Sequence, residues 1–227
     1  MTSSHPALAF IHDGQILGLG TGRSAAAFIR ALGHRVASGL KIQGVPTSRA
    51  SAELARSLGI PLVSLDDVEA IDVAFDGADE VDPKFNLIKG RGGALVREKI
   101  VAAAAKRFVV LVGEEKLVAT LGQGGALPVE VVPFALGFCR RKIEALGCHP
   151  APRLTPSGDL YISDNGNPIL DCHIAALDDP AGLERAILAL PGVVDTGLFL
   201  GMAHDVIVGD GESARVLKRP ETGGTET

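Results

Sequence analysis

Absences bound the reading first. The 227-residue chain has three cysteines, Cys139, Cys148 and Cys172, and none of them forms a C-x-x-C pair. Three thiols cannot all pair within one chain, and cysteines scattered in this way in a cytosolic protein read as small buried hydrophobes. The six histidines contain neither H-x-x-x-H nor H-E-x-x-H, so no metal site is expected. The longest strictly apolar run, Ile100 to Ala105, has six residues, against the roughly 18 that a membrane span needs. There is no basic block, and 22 Lys and Arg face 27 Asp and Glu for a net charge of −5. Binding to nucleic acid through bulk charge is therefore not expected. Met1 to Pro6 lacks a basic segment followed by an apolar one, so no secretory signal is read and a cytoplasmic location is expected.

What is present suits a folded chain. Hydrophobic residues make 46% and charged residues 22%, which fits one large domain or two unequal ones and excludes general disorder. Up to about Leu127, short apolar runs alternate with helical ones. Strands are read at Gln15 to Leu19, Lys41 to Val45, Pro61 to Ser64, Ile71 to Phe75 and Phe108 to Val112, and helices at Ser24 to Leu32, Ser48 to Leu58 and Gly93 to Lys106. That alternation predicts a doubly wound, mostly parallel, Rossmann-like α/β sheet, with ligands bound beyond the carboxyl ends of its strands.

After the glycine-rich stretch Gly122 to Pro128 the pattern changes. Strand Val129 to Val132, helix Ala135 to Leu146, strands Asp159 to Ser163 and Pro168 to Ile174 turning at Asn165-Gly166, helix Pro180 to Leu190 and strand Val193 to Phe199 follow. This is β-α-β-β-α-β, the ferredoxin-like order of a smaller α+β domain. The division expected is residues 1–128, with 200–220 returning to the first sheet, then 129–199, then a flexible tail over 221–227.

Strand Gln15 to Leu19 runs into Gly20-Thr21-Gly22-Arg23-Ser24 and an apolar helix. Glycine amides, a helix N-terminus and the hydroxyls of Thr21 and Ser24 describe a phosphate cradle. A dinucleotide fingerprint starting at Gly18 fails, because Arg23 holds the third glycine position and no acid lies between Asp13 and Glu53. No G-K-[ST] is present for a Walker loop. A small phosphorylated ligand is favoured over NAD, beside the plainer reading of a turn that only joins strand to helix.

Strand Ile71 to Phe75 ends in Asp76-Gly77-Ala78-Asp79-Glu80-Val81-Asp82, four carboxylates whose spacing is not that of a calcium loop. A second glycine loop, Lys89-Gly90-Arg91-Gly92-Gly93, follows before a helix carrying Glu98. Ala94, Leu95, Val101 and Ala102 share the face of Glu98 and would desolvate it, raising its pKa toward that of a general base. The alternative is an exposed glutamate whose flanking Arg97 and Lys99 mark the solvent side. A phosphate cradle, a carboxylate base, a lysine for an oxyanion and aspartates for hydroxyl protons suit proton abstraction beside a carbonyl, as in sugar-phosphate isomerisation.

The order Gly18-Leu-Gly-Thr-Gly22, Asp76-Gly-Ala-Asp-Glu80, Ile88-Lys-Gly-Arg-Gly-Gly-Ala94, Arg97-Glu-Lys-Ile100, Leu127-Pro-Val-Glu-Val131 and Asp164-Asn-Gly-Asn167 resembles ribose-5-phosphate isomerase A from about residue 14 to 218. The resemblance implies a cofactor-free, metal-free enzyme of the non-oxidative pentose phosphate pathway. Such an enzyme interconverts D-ribose 5-phosphate and D-ribulose 5-phosphate through a cis-enediolate, usually as a homodimer or a dimer of dimers. By matching position it makes Glu98 the base, Asp76 an aid to ring opening, Asp79 the carrier of hydroxyl protons and Lys89 the partner of the enediolate oxygen. Gly20, Thr21, Gly22, Arg23 and Ser24 would hold the phosphate end. Gly77, Ala78, Gly90, Arg91, Gly92 and Lys116 would complete the substrate site. Arg23 stands where the family more often has serine and Arg91 where glycine is frequent, and no lysine precedes Gln15. Other classes stand beside it. A phosphosugar-binding regulator would not need Glu98 and Lys89 together. A deaminase or lactonase would want a site histidine, and none lies between His34 and His149. A CoA transferase would use a glutamate as nucleophile, and Glu98 alone does not exclude it.

Overall fold

The structure, a computed structural model, describes residues 5–209 and 214–219; the tail expected over 221–227 lies outside them. In chain order the first half contains β1 (Ile16–Leu19), α1 (Arg23–Ala37), β2 (Gln43–Pro46), α2 (Arg49–Ser57), β3 (Ile71–Gly77), β4 (Glu80–Val81), β5 (Leu87–Ile88), α3 (Leu95–Ala104) and β6 (Ala105–Val112). The second half contains β7 (Ala126–Val131), α4 (Leu136–Glu144), β8 (His149–Pro152), β9 (Ile169–His173), α5 (Pro180–Leu188), β10 (Val193–Thr196), β11 (Leu198–Phe199), β12 (Asp205–Val208) and β13 (Arg215–Lys218).

The main sheet has the order β13-β12-β6-β3-β1-β2, parallel throughout except for β13 at one edge. The chain leaves β1 for β2 on one side and then crosses to β3 on the other. The carboxyl ends of β1 and β3 therefore flank the crevice where strand order reverses, the place where open α/β sheets bind ligands. Period-two alternation sorts the side chains. Leu17, Leu19, Val73, Phe75, Val109 and Leu111 pack with Phe28, Ile29 and Leu32 of α1, and Ala74, Val110, Val206 and Val208 pack with Val101 and Ala102 of α3. Gly18 lies on the α3 side, where an added Cβ would sit 2.6 Å from Val101 Cγ1 and 2.7 Å from the Ala74 Cβ. Its missing side chain lets α3 lie close against the sheet.

The second sheet, β10-β7-β9-β8, is antiparallel. Its strands, taken as first to fourth in the chain, stand in the order 4-1-3-2, which is the ferredoxin-like arrangement. A small third sheet, β11-β5-β4, is antiparallel as well and joins the segment after the second sheet to the strand before the second glycine loop and the strand within the acidic turn.

Several expected elements differ. Pro61 to Ser64 is no strand but a single parallel bridge between Gly44 and Leu62. Asp159 to Ser163 makes only the isolated bridges Leu154–Leu160 and Ile162–Pro168; the second strand of the small sheet is β8 instead. Pro150 and Pro152 hide β8 from a propensity reading, and an edge strand tolerates them because one of its sides needs no N–H donors. Val193 to Phe199 divides at Gly197, where the chain passes from one sheet to the next and a Cβ would strike the Lys89 carbonyl. α1 runs past Leu32 to Ala37, since Gly33 meets Leu58 beyond α2 and is needed for packing rather than for termination. Leu95–Ala104 passes directly into Ala105–Val112, so the helix ends two residues before Lys106.

Gly18→Ala should lower stability by about 1–3 kcal/mol, because neither Val101 nor the backbone of β3 can retreat without moving α3. Thermal melting checks this, and an unchanged Tm would show that α3 is not held tightly against β1.

Candidate active site

Four chain segments converge at the crevice. The turn after β1 enters α1 through Gly22, at φ +105°, with no capping side chain and no acid in the first helical turn. Its uncapped N–H groups and the positive end of the helix dipole can receive an anion without competition. The turn after β3 supplies Asp76 to Asp79, the loop after β5 supplies Lys89 to Gly92, and α3 supplies Glu98. Together with Lys116 they line one cleft of about 120 Å³, comprising Thr21, Gly22, Arg23, Ser24, Gly77, Ala78, Asp79, Lys89, Gly90, Arg91, Gly92, Glu98 and Lys116. That volume suits a small molecule and not a dinucleotide.

Beneath the cleft lies a buried ionic triad. Lys89 Nζ is 3.0 Å from Asp76 Oδ2 and 3.1 Å from Glu98 Oε2, and it donates to the Gly77 carbonyl at 2.5 Å. All three side chains are almost fully buried. Asp76 Oδ1 also accepts the N–H groups of Thr21 at 3.1 Å and Gly77 at 2.7 Å. Burial pushes the Asp76 carboxyl up, while Lys89 and these two amides pull it down without reversing the shift. Glu98 has fewer opposing donors. Burial first, then the Asp76 charge, raise it from 4.5 to about 8 against the pull of Lys89. Burial alone would discharge Lys89, but the two carboxylates outweigh it and hold the ammonium above its ordinary value.

Fifteen residues were singled out from sequence, and thirteen line the cleft. Gly20 and Asp76 do not. Gly20 is packed so that a Cβ would fall 2.3 Å from Asp76 Cγ, and its role is to leave room for that carboxylate. Asp76 reaches the cleft only through Lys89 and the two amides. Arg23 is exposed at the start of α1 and Arg91 is exposed on the second loop, with Arg91 Nε 3.8 Å from Asp79 Oδ1 and its guanidinium donating to the Gly124 carbonyl. The acidic turn divides its labour. Asp79 faces the cleft, Glu80 is buried and accepts the Gly122 and Gly124 N–H groups at 2.6 Å each, and Asp82 accepts from Lys84, Asn86 and the Asn86 amide. Glu98 is buried and not the exposed glutamate of the alternative reading. Arg97 and Lys99 do not mark solvent, since both are tied to the small sheet's segments.

Sequence reasoning missed the support beneath Thr21. Its hydroxyl lies 2.7 Å from Thr47 Oγ1 and 2.8 Å from Ser48 Oγ, so the residues after β2 hold the cradle in shape. Ser48 as the N-cap of α2 was the visible signal, but capping alone did not announce contact with a loop 27 residues away. Among the described residues no group of three or more His, Cys, Asp or Glu could hold a metal ion, and no helix is long and apolar enough to cross a membrane.

Known proteins similar to this chain fall in one family by family model, sequence and structure. The protein-family model described as ribose 5-phosphate isomerase A (phosphoriboisomerase A) matches residues 43–213. The ribose-5-phosphate isomerase A of Thermomicrobium roseum is 52% identical over 217 residues, covering 95% of this chain and 92% of the relative. The solved ribose 5-phosphate isomerase A of Methanocaldococcus jannaschii superposes with a TM-score of 0.88 at 43% identity, over 93% of this chain and 94% of that one. A D-ribose-5-phosphate isomerase in complex with phospho-erythronic acid gives a TM-score of 0.90 at 45% identity, over 94% of both chains.

The raised carboxyl has a stability consequence. Above 4.5 the unfolded chain releases the Glu98 proton, whereas the folded chain keeps it up to about 8, so stability from this residue declines across that window as pH rises. Glu98→Gln should therefore melt close to the parent near pH 4 and above it beyond about pH 8. A melting difference independent of pH would refute the elevated proton affinity.

Proposed function

The chain belongs to the ribose 5-phosphate isomerase A family and interconverts D-ribose 5-phosphate and D-ribulose 5-phosphate, and from that premise we propose that Glu98 carries the proton between C2 and C1 through a cis-enediolate. The observation that carries this reading is the triad. A carboxylate whose proton affinity is raised to about 8 lies at the cleft wall 3.1 Å from a lysine that is kept charged.

The phosphate is read at the N-terminus of α1, on the amides of Gly22 to Ser24 with Arg23 beside them. This places the sugar's carbonyl end toward Lys89 and Glu98. Glu98 takes the C2 proton of the open-chain aldose, and the electron pair flows into the C1 carbonyl. Lys89 stabilises the oxygen that becomes negative, which costs little reorganisation because its ammonium is already fixed by Asp76 and the Gly77 carbonyl. Asp79 passes a proton between O1 and O2, and Glu98 returns its proton to C1 to give the ketose. Asp76 acts through Lys89 in this scheme, as the counter-ion that keeps the lysine protonated. Its expected help in ring opening would have to run through that lysine as well. Lys116 and Arg91 close the cleft around the sugar.

The same reading makes the enzyme a cytoplasmic homodimer or dimer of dimers. Fully exposed Phe134, together with Val132 and Phe138, supports an association surface on the small domain, since exposed apolar clusters of this kind favour contact with another chain.

Three results are expected. Glu98→Gln should lower kcat by about 10²–10⁴-fold, with binding of a phosphorylated sugar acid retained, and near-parental turnover would refute the assignment. In the parent, kcat/KM should climb as pH rises toward about 8 and then level, because only the ionised carboxylate accepts the proton. During the same reaction in D₂O, deuterium should enter C1 of the ketose. Conversion to equilibrium without deuterium on carbon would exclude the enediolate.

A further inference from the structure

Arg153 lies outside the cleft, in the segment that follows β8, and its guanidinium is fixed on three sides. Nε and Nη2 donate to the two oxygens of Asp171 at 2.9 and 2.5 Å, and the guanidinium carbon sits 5.7 Å from the centre of the Tyr161 ring. The remaining nitrogen, Nη1, donates to the carbonyls of both Gly90 and Arg91 at 3.1 Å. These are consecutive carbonyls of the second glycine loop, whose peptides are trans.

In a trans peptide the N–H points away from its own C=O. A Gly90 carbonyl drawn toward Arg153 therefore aims the Arg91 N–H in the opposite direction, where it donates to Asp79 Oδ2 at 3.1 Å. The second carbonyl, that of Arg91, blocks rotation of the loop about the first. A cation on the carbonyl also polarises the peptide and strengthens its N–H as a donor. Gly90, at φ +103°, and Gly93, at φ +81° with Tyr161 packed where its Cβ would stand, permit this path.

We propose that Arg153 is a positioning residue of the isomerase: by holding the Gly90 and Arg91 carbonyls it orients the Arg91 amide that fixes the Asp79 carboxylate for proton exchange with the sugar hydroxyls. The proposal rests on the role given to Asp79 above. Lysine cannot replace the arginine, because one ammonium cannot grip both Asp171 oxygens and also bridge two carbonyls.

A double-mutant cycle with Arg153→Gln, Arg153→Lys and Asp79→Asn tests it, with folding checked by circular dichroism. Each Arg153 variant should lower kcat by about tenfold or more while KM changes by less than about threefold, and in the Asp79→Asn background the same substitutions should cost less than about twofold further. Equal losses in both backgrounds, or parental kcat in the Arg153 variants, would overturn the proposal and leave Arg153 a structural tie. Parental kcat in Asp79→Asn alone would instead overturn the reading of Asp79, and the proposal with it. Should Arg153→Gln fail to fold, Asp171→Asn, which frees the guanidinium without removing it, enters the cycle in its place with the same expectations.

Discussion

One buried ammonium between two buried carboxylates is the constraint on which the rest of the site depends. Taking charges out of water costs several kcal/mol per ion, only close, well-oriented partners offset it, and Glu98 lessens the cost by holding its proton up to about 8. Each member comes from a different part of the fold: Asp76 from the end of β3, Lys89 from the loop after β5 and Glu98 from α3. Their separations of 3.0 and 3.1 Å are therefore a statement about tertiary packing. Gly18 lets α3 approach the sheet, Gly20 leaves space for the Asp76 carboxylate, and Gly197 accepts the Lys89 N–H at 2.8 Å through its carbonyl. Glycines that look like parts of a phosphate loop are, at positions 18 and 20, the clearance for an ion triad.

The smaller sheet's segments hold α3 on both sides of Glu98. Arg97 donates to the Asn165 side-chain oxygen at 2.7 Å and to the Asp164 carbonyl at 2.9 Å. The Asn165 amide nitrogen, with that of Asn167, donates in turn to Glu130 Oε1 at 3.0 and 2.9 Å. Asn165 thus bridges a cation and a buried anion, and only one orientation of its amide satisfies both. On the other flank Lys99 meets Asp195 at 2.5 Å and Glu184 at 3.6 Å. Phe199 lies between the two lysines, 5.4 Å from Lys89 Nζ and 5.1 Å from Lys99 Nζ. The motifs around Glu130 and Asn165 gain a physical reason: they fix the helix that carries Glu98.

How much of this was legible depended on distance along the chain. Glycine loops, the acidic turn and the apolar face of Glu98 are local patterns, and their chemistry could be read because strand ends in a doubly wound sheet gather at one edge. The strand β8 was hidden by its own prolines, and Val193 to Phe199, apolar at both ends, reads as one strand and concealed the change of sheet at Gly197. Contacts across long separations left no trace in spacing. Thr47 and Ser48 beneath Thr21, and Arg153 behind the second glycine loop, are ordinary loop residues until the fold brings them within hydrogen-bond reach. The side of α3 was misjudged in the alternative reading for the same reason, because Arg97 and Lys99 look solvated until the acids of another segment are known.

The division of the acidic turn shows how a run of like charges becomes several different groups. Asp76 still belongs to β3 and, by strand alternation, shares a face with Ala74, so it turns toward α3 and the lysine. Beyond the strand that alternation lapses, and Asp79 meets the cleft and an amide from the opposite loop. Glu80 pairs into β4 and is drawn into the interior, where two backbone N–H groups replace water. Four carboxylates exposed together would repel one another and compete for any cation. Dispersed in this way, one is a counter-ion, one lines the cleft and two hold loops. The ammonium at the cleft stays charged because Asp76, which does not line the cleft, remains beside it. Glu98 is thereby left with a proton affinity that can change hands near neutral pH.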